Sequence, residues 1–259
     1  MTATSLTIAA NTFREALRER LLYNLLLFAV ILTGGSLTIS QLTLGEQFRI
    51  IADVSTSSTQ IFTLVISVFL GVTLVAREVD RRTCYAVLAR PVSRAGFILG
   101  KCLGLLATVA LNVTVMAAVT GAVLLAQTTG IRISGLGYFS VFALMVVQAA
   151  VCIAFAALFA SFSTPTLAVI LTLAVVGSGF LFSEVRNFWL QAKQVQMKWV
   201  VGVLDYLIPN MGLLDAKESL TYGDPMTWGS LLGRGAYGLA YAAVILGLAM
   251  FVFSRRDIR

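Results

Sequence analysis

The sequence predicts an all-α integral membrane protein: six transmembrane helices, an N-terminal interfacial amphipathic helix, a charged cytoplasmic loop, and short outer-face helices between spans five and six. Three observations predict it. The 259 residues are 58% hydrophobic and 12% charged with mean hydropathy +0.90, whereas soluble domains are about 45–50% apolar and about 25% charged. Six stretches approach the roughly 20 apolar residues that cross a bilayer. The basic residues gather on one expected side.

The first element is read from residues 5–21. Leu6, Ala10, Phe13, Leu17 and Leu21 recur at helical spacing, with Asn11, Arg14, Glu15, Arg18 and Glu19 on the other side. That pattern predicts a helix lying in the membrane interface, residues 1–20 forming this unit and 21–259 the membrane domain. A plain extension of the first span is the competing reading. The start is not that of a cleavable signal, because the apolar run after Arg20 is too long for an h-region.

The spans are Leu21–Leu42, Thr56–Ala76, Phe97–Ala126, Tyr138–Phe159, Thr166–Phe182 and Gly235–Phe253. Only Lys101 is charged within them, near enough to a span end to reach the headgroups. The second is the least apolar, since Ser55, Thr56, Ser57, Ser58, Thr59 and Gln60 open it. With the N-terminus inside, twelve basic residues fall on cytoplasmic segments, while the short outer loops hold only Arg49 and Arg132. The positive-inside rule then puts both termini in the cytoplasm. The net charge of +7 is thereby read as topology and not as a nucleic-acid surface. Segment 183–234 is too apolar for a solvated linker and too polar to span; it predicts one or two interfacial helices on the outer face, ended by Pro209.

Chemistry of its own is not expected. With no histidine, the commonest general base and metal ligand are absent. Cys84, Cys102 and Cys152 have no zinc-site spacing, and an odd, scattered set argues against disulfides. Gly96-Phe-Ile-Leu-Gly100-Lys101-Cys102 is one residue short of a P-loop, ends in Cys, and opens a membrane helix with no strand before it. Gly96, Gly100 and Gly104 instead repeat every four residues and let another helix approach closely. Gln60, Thr63, Ser67 and Gly71 share a face of the second span, Thr108 and Asn112 stand four apart in the third, and Gln148 lies in the fourth. Packing by interhelical hydrogen bonds accounts for such residues. The stripe Gln60, Thr63 and Ser67 also suits the lining of a path.

The densest polar sequence is loop 77–96, with a charge of +4 from Arg77 through Lys101. Glu78 and Arg82 stand at i, i+4 in the favourable order, Pro91 closes a short helix, and Ser93 is placed to cap the third span. A charged helix held outside the bilayer suits a soluble partner's grip; a topological anchor has the same composition.

Arg77-Glu-Val-Asp-Arg-Arg-Thr83, then Leu88-Ala-Arg-Pro-Val-Ser-Arg94 and Phe97-Ile-Leu-Gly-Lys101, resembles the signature loop of type-two ABC transporter permeases. Tyr206-Leu-Ile-Pro-Asn210 and Phe253-Ser-Arg-Arg-Asp257 agree in order and membrane side. Arg82 departs from the pattern, since many members have glycine there, and makes the turn less flexible. The resemblance implies a six-span subunit of the bacterial cytoplasmic (inner) membrane, paired with a second permease subunit, most simply as a homodimer. It implies cytosolic ATP-binding cassette subunits that hold ATP and Mg, and it leaves room for an auxiliary periplasmic or membrane protein. No cofactor, nucleic acid or metal belongs to this chain on that reading, and its other neighbour is membrane lipid. Carried residue by residue, Arg77, Glu78, Asp80, Arg81, Arg82 and Thr83 are the implied ATPase-coupling contacts. Export is the implied direction. The reading against it is a membrane anchor or assembly factor that docks a soluble partner without moving a substrate.

Overall fold

The computed structural model describes residues 2–40, 47–80, 94–127, 134–191, 208–222 and 226–255. Among these are eight helices and no strand: α1 (Thr2–Ala16), α2 (Arg20–Ser40), α3 (Gln47–Asp80), α4 (Arg94–Gln127), α5 (Gly135–Ala160), α6 (Pro165–Gln191), α7 (Lys217–Thr221) and α8 (Trp228–Arg255). Five stretches of described helix are long and apolar enough to cross a membrane: Phe48–Thr73, Gly96–Ala126, Gly135–Ala160, Pro165–Phe182 and Trp228–Phe253. The first expected span is occupied by α2, a helix of 21 residues.

The bundle is built around α5, which packs on α3, α4, α6, α7 and α8. Its sequence explains that position. Ala149, Ala154, Ala156, Ala157 and Ala160 are buried on several sides of the helix, and small side chains let neighbouring backbones come close where lipid supplies no hydrophobic drive between helices. At Gly71 of α3 an added Cβ would lie 2.7 Å from Ala156 Cβ, so the two helices touch there almost backbone to backbone. Ser134 caps the start of α5, its Oγ accepting from the Gly137 N–H at 3.2 Å. Pro165 opens α6 where its missing N–H costs nothing.

Several boundaries differ from the expected ones, for local reasons. The polar turns Ser55–Gln60 are helical and largely buried inside α3. Their hydroxyls turn back on the helix: Thr56 Oγ1 donates to the Ala52 carbonyl at 2.7 Å and Thr59 Oγ1 to that of Ser55 at 2.7 Å. The hydroxyls of Thr56, Ser58 and Thr59 are thus satisfied without water, while the buried Ser55 Oγ has no partner among the described residues. At 34 residues, α3 is about 51 Å long at about 1.5 Å per residue, well beyond the roughly 30 Å of hydrocarbon. Helix α6 continues to Gln191 and α8 begins at Trp228, past the expected Phe182 and before the expected Gly235.

The expectation for segment 183–234 falls largely on residues that are not described. Residues 192–207, where interfacial helices were expected, lie outside the described residues. The stretch from Pro209 to Leu220 enters the bundle on one side: Met211, Leu214, Ala216 and Leu220 are buried while Leu213 and Glu218 are exposed, and the short helix α7 packs on α3 and α5. A lone apolar stretch reads the same whether it lies against headgroups or against other helices, which is why composition did not separate the two.

Candidate functional site

The segment that enters the bundle makes the main polar cluster. Ser219 sits against Gly137 in the first turn of α5, and the Met211 carbonyl accepts from Gln148 Nε2 at 3.4 Å. From residue 137 to residue 148 is about 16 Å of helix at about 1.5 Å per residue. The chain between Met211 and Ser219 therefore runs beside α5 from its end to its middle. It is seated by glycines. Gly179 of α6 faces the Pro209 carbonyl and Met211, and Gly238 of α8 faces Leu214 and Val147, each so closely that a Cβ would collide.

Three helices supply its polar partners. Gln60 Nε2 of α3 donates to Gln148 Oε1 at 3.1 Å and to Asp215 Oδ2 at 3.3 Å. Lys217 Nζ lies 3.4 Å from Asp215 Oδ2 and donates to Ser57 Oγ at 3.5 Å. The Lys217 backbone N–H donates to Asp215 Oδ1 at 3.1 Å, and Arg234 Nη1 of α8 donates to the Asp215 carbonyl at 3.4 Å. Tyr237 Oη of α8 accepts from the Asn210 N–H at 3.0 Å. The cluster is graded by depth: the Lys217 and Asp215 side chains are 25% and 24% exposed, whereas Gln148 is 1% and Met211 0% exposed. Every donor named has an acceptor, and the arrangement is suited to holding a segment in place. Among the described residues no group of three metal-ligating side chains occurs.

The stripe Gln60, Thr63 and Ser67 is buried, with Ser67 Oγ donating to the Thr63 carbonyl at 2.7 Å. Because α3 packs on α5 along this side, at Gln60–Gln148 above and Gly71–Ala156 below, the stripe is closed within one chain. Thr108 and Asn112 do not pair: Thr108 Oγ1 donates to the Gly104 carbonyl at 3.0 Å, and Asn112 Nδ2 has no partner among the described residues.

The opposite end of the molecule holds the glycine repeat. A Cβ on Gly100 would lie 2.7 Å from the Ser5 carbonyl oxygen and 3.0 Å from Ile8 Cβ; on Gly104 it would lie 2.5 Å from the Ala9 carbonyl oxygen and 2.8 Å from Thr12 Cβ. The helix brought close is α1. Gly96 is half-buried one turn earlier in α4. Helix α1 presents Ser5, Ile8, Ala9, Thr12 and Ala16 to the protein, while Leu6 of the apolar stripe is 72% exposed. Of the rest of that stripe, Ala10 is exposed and Phe13 and Leu17 are half-buried. Lys101, expected to reach the headgroups, is instead 4% exposed with its ammonium 5.1 Å from the Phe97 ring centroid.

Of the coupling residues, Arg77, Glu78 and Asp80 lie on the last turn of α3. Arg81, Arg82 and Thr83, and the cap expected at Ser93, lie outside the described residues. Sequence reasoning singled out Gln60 and Gln148 but not their contact, and it missed Asp215, Lys217, Arg234 and Tyr237. The available signal was charge inside an apolar run just after Pro209, which topology counting absorbed as an outer loop. A model of the family described as ABC-2 family transporter protein matches residues 6–258. No curated protein matches the chain.

Proposed function

The chain belongs to the ABC-2 family of transporter proteins, and on that premise we propose that it is the permease subunit of an ABC exporter. It works as a homodimer on two separate cytosolic ATPase subunits that hold ATP and Mg and dock on loop 77–96. Both termini face the cytoplasm of a bacterial cell, and the chain itself performs no hydrolysis.

The observation that carries this reading is the extent of the family match. It runs from α1 through the loop to the end of α8, so it takes in both the interfacial helix and the implied docking segment. Two structural features support it. Helix α3 is continuous from Gln60 to Asp80, which joins the first coupling residues to the polar cluster by one rigid rod. Exposed Leu27 and Ile31 on α2, Ile170 and Leu173 on α6, and Val244 and Leu248 on α8 leave apolar faces for lipid and a second copy. The buried stripe Gln60, Thr63 and Ser67 is the closed form of the path, which opens when α3 parts from α5.

Reversing Arg81 and Arg82 to Glu tests the docking surface. The reading expects the inserted permease to lose ATPase binding and ATPase stimulation. Unchanged association and stimulation in the double variant would remove these residues from the role.

A further inference from the structure

We propose that residues 208–216 form a gate held shut by a polar latch, with Asp215, Gln60 and Gln148 as its positioning residues. It deepens the permease reading, because the gate closes the path that reading requires, but the closure is a property of this chain alone.

The segment has the construction of a movable part. Its backbone is irregular, and its backbone bonds are single turns: from the Leu214 N–H to the Met211 carbonyl, from the Asp215 N–H to that of Gly212 and from the Ser219 N–H to that of Ala216, each 3.1 Å. Non-helical backbone at membrane depth is tolerated only where protein buries it or it lines a cavity. Here it is buried by its apolar side chains and tied to other helices by hydrogen bonds to Gln60, Gln148, Arg234 and Tyr237. The ties are layered. Asp215 and Lys217 form an outer layer that water reaches, each about a quarter exposed. Beneath it Met211 and Leu214, at 0% and 1% exposed, form a seal on which Gln148 closes. Thr63 and Ser67 continue the polar stripe on α3 below that seal, both buried, with the Ser67 hydroxyl turned back on the Thr63 carbonyl.

Gln60 is the point where the latch meets α3. Its amide donates both to Asp215 on the segment and to Gln148 on α5. A shift of α3 relative to α5 therefore breaks the contact with the segment and the contact between the helices together. Since α3 runs unbroken to Asp80, a push at the loop end is delivered to Gln60 without an intervening hinge. The Asp215 carboxylate then keeps only Lys217, two residues away on the same segment.

The test needs neither substrate nor ATPase. In full-length protein with Cys84, Cys102 and Cys152 replaced by alanine, Ser67→Cys reports access to the stripe through its rate of reaction with a membrane-impermeant methanethiosulfonate added from the outer side of proteoliposomes. With the latch intact the rate is low. Asp215→Ala, Asp215→Asn and Gln60→Leu each raise it at least about tenfold, equal to about 1.4 kcal/mol in the opening equilibrium. Lys217→Gln, which leaves the Asp215–Gln60 bond, raises it less. Where one variant fails to insert, the others carry the same expectation, with the thermal midpoint in detergent verifying the fold. An unchanged Ser67→Cys rate in any inserted Asp215 or Gln60 variant makes the segment a fixed plug and overturns the proposal. A chain that shows the shift yet binds no ATPase would refute the permease reading and leave the gate standing.

Discussion

Gly104 shows how much one missing methyl group decides. A Cβ there meets the Ala9 carbonyl oxygen at 2.5 Å, and backbone cannot swing aside as a side chain can. Gly104→Ala is expected to destabilise the protein by about 1–3 kcal/mol, the usual range for overpacking. Gly177→Ala, with nothing within 4 Å, is expected to be neutral or to stabilise by up to about 1 kcal/mol through its helix propensity. Thermal unfolding in detergent separates the two, and equal midpoints would contradict the α1–α4 contact. The Gln60–Gln148 bond makes a quantitative prediction too. A double-mutant cycle with both residues changed to Leu should give a coupling near 0.6 kcal/mol and not above about 2, the range of interhelical hydrogen bonds in membranes. A coupling near zero would mean the amides do not meet. At this scale the sequence revealed residue types and not partners. Two glutamines in two spans are visible to anyone who counts polar residues, but the spacing of 88 positions between them carries no geometric information. Asp215 was the harder case, because a charge in a long outer segment has a sufficient explanation in topology.

At the scale of elements, α1 and α3 carry the account. The contact of α1 with α4 predicts a difference in thiol access along α1: Thr12, which faces Gly104, is 3% exposed, whereas Leu6 is 72% exposed. Without the native cysteines, Thr12→Cys should react slowly with N-ethylmaleimide in detergent and Leu6→Cys quickly. Equal labelling rates would mean that α1 has no fixed rotation on α4. Elements with a sustained apolar period were legible. The α1 stripe, the third span and the fourth span were located to within a few residues. The second span was harder because Ser and Thr look solvent-seeking until their hydroxyls are paired to the preceding turn, as those of Thr56 and Thr59 are. The burial of segment 208–222 was not legible for a related reason. Burial of Met211, Leu214 and Leu220 depends on glycines in α6 and α8 that are distant in sequence, and no local pattern announces them.

The whole molecule has two working ends joined by α3. One end carries α1 locked on the glycines of α4 and the last turn of α3 before the loop; the other carries the segment tied to Gln60 and Gln148. The family to which the chain belongs is a transporter family, and the proposed function places the source of motion in another chain. That claim is tested most directly by co-expressing the protein with the products of its neighbouring genes and isolating it in detergent through a tag on this chain alone. The account predicts a stable complex in which ATPase copies equal permease copies, and which hydrolyses ATP. Recovery of the permease without any ATPase, from membranes that contain both, would contradict it.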